Sequence, residues 1–443
     1  MSLDELIEEI KKDYISPTSL DLKMKKIKVK NSDGEDDIFE VPYSTRYNLH
    51  QIIGYHHKFD TLFWCDFMMK IYYEGNEIAD HDLTRFVIWL ERVYKIITTE
   101  DILKKVVLLV ARDRAKNKLL EYLDSYIDED NPGLLGWDGK PRLRTLLTQY
   151  FGVQPSYFIN NKNQKKDLIE IYSEKYFVGA IRRALFATVE EPVKHDVVLI
   201  LMGKQGIRKS DALQALSMKN CWFSDEELDL TSKDAKYQIS GKLLYELAEW
   251  SGRGKNIQRE KAFFTRKTDR YRPVHGTFQI EVPRRCSFAV STNRKSLLND
   301  SSGSRRYWAM ECGKHQMDNG WNGKKLPINR LKEVAVQIWL EARYIATNNE
   351  FEHWLNEEEE EARKDINFEF ASEHPWLYRI KQKLGAEKSI QIHEMMTRLD
   401  LSNNERTPRA KTIIEMCLKS LGFAKKKRGT REDRYIIWMN DEE

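Results

Sequence analysis

The chain has 443 residues, of which 41% are apolar and 32% charged, and its 73 basic and 69 acidic side chains leave a net charge of only +4. That composition excludes a disordered tail and a globally basic nucleic-acid binder, so any DNA contact must come from local clusters. Five scattered cysteines without a C-x-x-C pair argue against a disulfide framework or structural zinc, and the acidic start with no long apolar run argues against a signal peptide or membrane span, giving the expectation of a soluble cytoplasmic protein.

Residues 1–45 alternate lysines with acids around the turn signal Asn31-Ser32-Asp33-Gly34, and are expected to form an irregular lead-in. Residues 46–130 carry apolar side chains at helical spacing, such as Leu83, Phe86, Val87, Leu90 and Val93, then Ile102, Val106, Val107 and Val110, which predicts an N-terminal helical domain. The breakers Asn131-Pro132-Gly133 and Gly136-Trp137-Asp138-Gly139-Lys140-Pro141-Arg142 open a helical collar or linker over residues 131–194. The period then changes. Val197-Val198-Leu199-Ile200-Leu201-Met202 is a continuous apolar run, the pattern of a strand buried on both faces. Leu243-Leu244-Tyr245 and Cys286-Ser287-Phe288-Ala289-Val290 repeat it, so residues 195–350 are expected to hold a parallel α/β sheet. The acidic run at 357–361 lies in a segment, 351–369, that reads as a solvated helix face or linker. Residues 370–443 read as helix, turn, helix and β-hairpin, the order of a winged helix.

The first strand runs into Gly203-Lys204-Gln205-Gly206-Ile207-Arg208-Lys209-Ser210, which fits a phosphate-binding loop. Backbone N–H groups of Gly203, Gln205, Gly206, Ile207 and Arg208 would meet phosphate oxygens, Lys209 would reach the outer phosphates, and the Ser210 hydroxyl would bind Mg²⁺. Arg208 departs from the G-x-x-x-x-G-K-[ST] pattern, which has glycine there. It leaves two alternatives open: a side chain that sits aside and lends charge, or one that closes the pocket. Glu246 and Glu249 follow an apolar run and are either the carboxylates serving Mg²⁺ and the attacking water or two ordinary surface glutamates. Asn293 ends the third strand as a candidate phosphate sensor or a plain turn residue. Arg305 and Arg306 offer an arginine finger or a surface salt bridge.

These motifs, in this order, resemble the virulence-associated E family of phage and genomic-island proteins. The resemblance runs from Trp137-Asp138-Gly139-Lys140-Pro141-Arg142 through the loop, Glu246-Leu247-Ala248-Glu249, Phe264-Thr265-Arg266-Lys267-Thr268-Asp269-Arg270-Tyr271-Arg272-Pro273, Pro283-Arg284-Arg285-Cys286 and Ser291-Thr292-Asn293-Arg294 to Gly303-Ser304-Arg305-Arg306-Tyr307-Trp308. It implies an α/β P-loop NTPase core, AAA+-like and of the superfamily 3 helicase type, between the N-terminal helical and C-terminal winged-helix-like domains. It further implies a ring, hexameric in the family, using ATP and Mg²⁺. Lys209 and Ser210 would act on phosphates and metal, Glu246 and Glu249 as the second motif with Glu246 on the metal, Asn293 as sensor, and Arg305 or Arg306 on the neighbouring subunit's nucleotide. Many relatives carry a primase-like domain before the helicase; residues 1–130 look too short and too helical for one, so a separate primase is the expected partner.

Single- and double-stranded DNA are the expected ligands. Arg270, Arg272, His275, Arg284 and Arg285, with Tyr271 and Phe278, form a basic stretch with Gly276 in a plausible hairpin turn; phosphate contact and base stacking compete there with an ordinary basic surface. Arg409 and Lys411 open the last helix, and Lys425, Lys426, Lys427 and Arg428 form a basic wing suited to duplex DNA. The functional expectation is an ATP-dependent DNA helicase or replication-initiation ATPase. The alternative is a nucleotide-binding initiator or interference protein with weak or no hydrolysis, and a metabolic kinase is disfavoured by the basic hairpin and tail.

Overall fold

The computed structural model describes residues 14–30, 36–230, 232, 234–248, 257–272, 278–293, 304–315, 325–370, 375–385, 387–403, 405–428 and 435–440. Strands β1 (Met24–Lys30) and β2 (Asp36–Pro42) pair antiparallel, from Met24↔Pro42 to Lys30↔Asp36. The expected irregular lead-in is thus a β-ribbon, whose alternation of lysines with Ile27 and Val29 has the period of a strand. Helices α1 (Arg46–Tyr55), α2 (Asp80–Tyr94) and α3 (Glu100–Asp113) follow, and β3 (Phe63–Cys65), β4 (Lys70–Tyr73) and β5 (Asn76–Glu77) form an antiparallel sheet between the first two. The expected helical domain therefore contains a small sheet. Leu83, Phe86, Leu90 and Val93 on α2 and Val106, Val107 and Val110 on α3 face its core, as their spacing requires. Thr45 and Thr99 cap α1 and α3 by accepting from Asn48 and Ile102 N–H.

Helices α4 (Lys118–Asp124) and α5 (Leu146–Phe151), a hairpin of β6 (Tyr157–Ile159) and β7 (Lys165–Asp167), and the long α6 (Leu168–Phe186) lead to the main sheet. That sheet comprises β8 (Val198–Met202), β9 (Phe223–Ser224), β10 (Leu244–Ala248), β13 (Ser287–Thr292) and β14 (Tyr307–Glu311). Its order is β14-β8-β13-β10-β9, and every neighbouring pair is parallel. Between these strands come α7 (Lys209–Leu216), α8 (Ala235–Gln238), α9 (Ile257–Thr265) and an antiparallel hairpin, β11 (Thr268–Tyr271) with β12 (Ile280–Pro283). On β8, Leu199 and Leu201 enter one core with Tyr172, Phe177 and Trp339, whereas Val198, Ile200 and Met202 enter another with Tyr245, Phe263 and Phe288. Burial on both faces explains the unbroken apolar run.

After the sheet, α10 (Ile328–Ala346) packs on α6 and α7. Its Glu341 accepts from the Arg142 and Leu143 N–H groups at 2.7 and 2.9 Å, and its Gln337 accepts from Asp138 N–H at 2.9 Å. The turn-rich bridge is therefore pinned to the sheet domain. Helix α11 (Glu357–Glu369) is the helix of the expected solvated helix face or linker, with Glu357 and Glu361 exposed, but its other face is packed inside. Glu359, Arg363 and Asn367 are buried along it, and Asn367 Nδ2 donates to Tyr307 O at 2.7 Å while Ala309 N–H donates to Asn367 Oδ1 at 3.4 Å. The helix thus satisfies backbone groups on the outer edge of β14, and the sheet domain extends past residue 350.

The last unit is α12 (Pro375–Leu384), β15 (Ser389–Ile390), α13 (Ile392–Arg398), α14 (Pro408–Ser420), β16 (Phe423–Arg428) and β17 (Tyr435–Asn440). Its sheet order is β15-β17-β16, and Ile380, Met395, Ile414, Leu418 and Trp438 form its own core. All five cysteines are free thiols. No helix among the described residues is long and apolar enough to cross a membrane.

Candidate functional site

The loop leaving β8 combines two glycines with one residue in a glycine's conformation. At Gly203, φ is 156° and a Cβ would lie 2.9 Å from Ile207 Cδ1 and 3.1 Å from Cys312 O; at Gly206, φ is 79°. Arg208 has φ 74° and ψ 40°, left-handed backbone that costs a non-glycine residue about 1 kcal/mol or more. The loop therefore keeps the backbone path that the missing glycine would take. The Arg208 guanidinium lies on Asp211, Nε to Oδ2 at 2.5 Å, in the first turn of α7.

Lys209 is buried, and its ammonium donates to Gly203 O at 3.1 Å, Lys204 O at 3.2 Å and Asn293 Oδ1 at 3.0 Å. Burial pulls its pKa below the usual lysine range. Ser210 Oγ donates to Glu246 Oε1 at 2.7 Å and lies 3.4 Å from Ser291 Oγ. Glu246 is 0% exposed, and its Oε2 has no hydrogen-bond partner. Burial raises its carboxyl pKa, against the neighbouring Ser291 and Ser210 hydroxyls, which lower it. These side chains gather at the C-terminal ends of β8, β10 and β13, where a parallel sheet presents its ligand crevice, and β8 is the strand at which the chain order reverses.

Loop N–H groups, the start of α7 and a buried ammonium together suit an anion. The orphaned Glu246 oxygen beside the Ser210 and Ser291 hydroxyls supplies hard oxygen donors suited to Mg²⁺. Among the described residues no group of three or more His, Cys, Asp and Glu side chains is placed to hold a metal ion. Ser291 and Asp211 were missed by sequence reading. Ser291 lies in the Ser291-Thr292-Asn293 strand end, where a hydroxyl carries no spacing signal of its own.

Glu249 and His275 lie outside the described residues. Arg305 and Arg306 sit at the start of β14, the opposite end of the parallel strands from the loop and about 16 Å from it by strand rise. They cannot serve their own chain's loop. Arg306 is held inside by Thr265 Oγ1 at 3.0 Å and Asp196 Oδ2 at 3.5 Å, whereas Arg305 is exposed.

The strands of the expected hairpin are β11 and β12, paired antiparallel, and Gly276 of its turn lies outside the described residues. Arg270 pairs with Glu281 at 2.7 Å, Lys236 and Tyr237 of α8 hold the Arg270 and Arg272 carbonyls, and Phe278 is 80% exposed. Arg284 and Arg285 do not join that basic surface. Arg284 is buried in a two-pronged bond to Asp269 at 2.7 and 2.6 Å, over the Phe263 ring, and Arg285 donates to Ala184 O at 2.9 Å. In the C-terminal unit Lys411 and Lys426 are exposed and Lys425 lies 3.5 Å from Glu415; the side chains of Arg409, Lys427 and Arg428 are outside the described part.

The fold and site define a mixed α/β domain with a central parallel sheet and a loop-to-helix junction at the end of its interior strand β8. The sequence pattern of the virulence-associated protein E-like domain matches residues 133–372, more than half of the chain, and includes α11. The chain belongs to the virulence-associated protein E-like family. Among solved structures, the apo C-terminal region of NrS-1, residues 305–718, is similar with a TM-score of 0.40 and 13% identity over 86% of this chain and 95% of that one. The A form of the same apo region gives a TM-score of 0.36 and 12% identity over 86% and 96%. No curated protein matches the chain.

Proposed function

We propose that this chain is an ATP-driven DNA helicase of the superfamily 3 type, acting in replication of a phage or genomic island and assembling as a ring on DNA. The observation that carries the reading is the convergence of Lys209, Ser210, Glu246 and Asn293 around one loop-to-helix junction. Lys209 is held by the Gly203 and Lys204 carbonyls, which the outer phosphates of ATP can replace, with Asn293 keeping the ammonium in place. Ser210 and Glu246 would hold Mg²⁺, which when bound neutralises phosphate charge and stabilises the transferring phosphoryl group. Arg305 would serve the nucleotide of a neighbouring subunit. The hairpin, with Arg270, Arg272 and Phe278, suits single-stranded DNA by charge and stacking. The C-terminal unit has the helix and hairpin order of a winged helix, with Lys411, Lys425 and Lys426 on the faces that would meet duplex phosphates.

A test is ATP turnover with and without single-stranded DNA, followed by strand displacement. The expected result is DNA-stimulated hydrolysis that is abolished in Lys209→Ala, with unwinding coupled to it. Nucleotide and DNA binding without turnover would replace this reading with a hydrolytically weak initiator or interference protein, the alternative that the missing loop glycine favours.

A further inference from the structure

Arg208 occupies a position where backbone strain could be removed by one glycine, yet the chain places its largest cation there. Strain of this kind concentrates where a side chain serves a ligand. The residue caps α7 and directly precedes Lys209, so it belongs to the cradle itself. Its guanidinium is held by Asp211, in an ion pair whose two side chains are 43% and 47% exposed. Exposed pairs of this type contribute little and exchange readily. Asp211 lies in the first helical turn, next to Ser210, where an uncompensated carboxylate would repel an incoming polyphosphate. A planar guanidinium is moreover better matched to phosphate, through two parallel N–H bonds, than to one carboxylate oxygen.

We propose that Arg208 is a second cationic phosphate ligand of the loop, parked on Asp211 and transferred to the outer phosphates of a bound nucleoside triphosphate. The proposal rests on the nucleotide-binding reading of the loop. It accounts for an arginine that keeps a glycine's backbone, and it makes Asp211 the group that sets how readily Arg208 is released. Triphosphate gains more than diphosphate, because the added ligand acts on the outer phosphates.

The experiment is calorimetric titration of the full chain with MgATP and with MgADP, for the wild type, Arg208→Ala, Arg208→Gly, Asp211→Asn and Lys209→Ala. Loss of one charge-assisted contact should weaken MgATP binding about tenfold in Arg208→Ala, with a smaller loss for MgADP. Asp211→Asn should bind MgATP several-fold more tightly, roughly the strength of an exposed ion pair. Arg208→Gly relieves the left-handed strain, so it reports the same loss of affinity even if the alanine variant folds poorly. MgATP affinity equal to or above wild type in Arg208→Gly overturns the proposal and leaves the loop as an ordinary nucleotide site. A wild type that binds no MgATP, or a Lys209→Ala variant that binds it normally, overturns the nucleotide reading instead.

Discussion

Arg270 and Arg284 stand in one basic stretch of sequence and have opposite environments. Arg270 is 72% exposed and meets Glu281 at the surface of the hairpin, whereas the Arg284 side chain is 0% exposed and bonded twice to Asp269. Removing one partner of a buried pair strands the other charge. Arg284→Ala is therefore expected to lower unfolding free energy by roughly 3–5 kcal/mol, read from urea denaturation. Arg270→Ala should stay within about 0.5 kcal/mol of wild type while weakening binding of single-stranded DNA. Equal stability of the two variants would show that Arg284 is not the buried keystone described. A linear scan registers charge density but not which face of a hairpin a residue occupies, and so it grouped these arginines together. The same scan placed Lys209, Ser210, Glu246 and Asn293 as candidates because each follows an apolar strand, a signal that survives in one dimension.

Among elements, α11 shows what hydrophobic periodicity cannot see. Its fully buried side chains are polar: Glu359, Arg363 and Asn367 recur at i, i+4 and i+8 beside the partly buried Ala362 and Ile366, and Glu359 pairs with Lys175 at 2.7 Å. An apolar-spacing rule finds only Ala362, Ile366 and Phe370 there, too thin a signal beside the acidic run to mark a face packed on the sheet. The physical reason for the stripe is the edge of β14, whose backbone groups need partners. A fragment ending at residue 350 should consequently aggregate on expression, while one ending at residue 372 stays soluble. Asn367→Leu in the full chain should cost about 1–3 kcal/mol, the penalty for an unsatisfied buried backbone group. A soluble, cooperatively melting fragment ending at 350 would refute the edge-covering role. The interior strands β8, β10 and β13 were legible because burial on both faces demands uninterrupted apolar residues. The β1–β2 ribbon was not, because only alternate positions are apolar and lysines fill the rest.

At the scale of the whole molecule, two buried histidines tie α6, the lead into β8 and the segment after α10 into one joint. Gly179 leaves room for them: a Cβ there would sit 2.4 Å from His195 Nδ1 and 2.8 Å from His353 Cδ2. His353 bonds Lys194 O at 2.8 Å and faces Arg182 at 3.3 Å, and His195 packs on Tyr176 with both ring nitrogens unsatisfied. Burial holds both pKa values below the ordinary histidine range; His353 adds to the effect at His195, and at His353 the bond to the Lys194 carbonyl opposes burial more than Asp196 does, while Arg182 and Lys175 reinforce it. The unfolded chain thus takes up these protons first as pH falls. The stability the neutral rings provide is complete above about pH 6.5 and is lost progressively below it. Melting temperature should drop between about pH 7.5 and 5.5, with a shallower slope in His353→Gln, whose amide can still donate to Lys194 O. An unchanged slope in that variant would remove His353 from the account. By itself, the sequence determined the parallel sheet and the residues that gather at its strand ends, since strand burial and loop chemistry are written in consecutive positions. Only the tertiary structure decided that Arg208 keeps a glycine's backbone while its charge turns to Asp211, that Arg284 is buried, and that an acidic helix closes the sheet edge. Each of these depends on which groups lie across space from one another, and no local pattern encodes that.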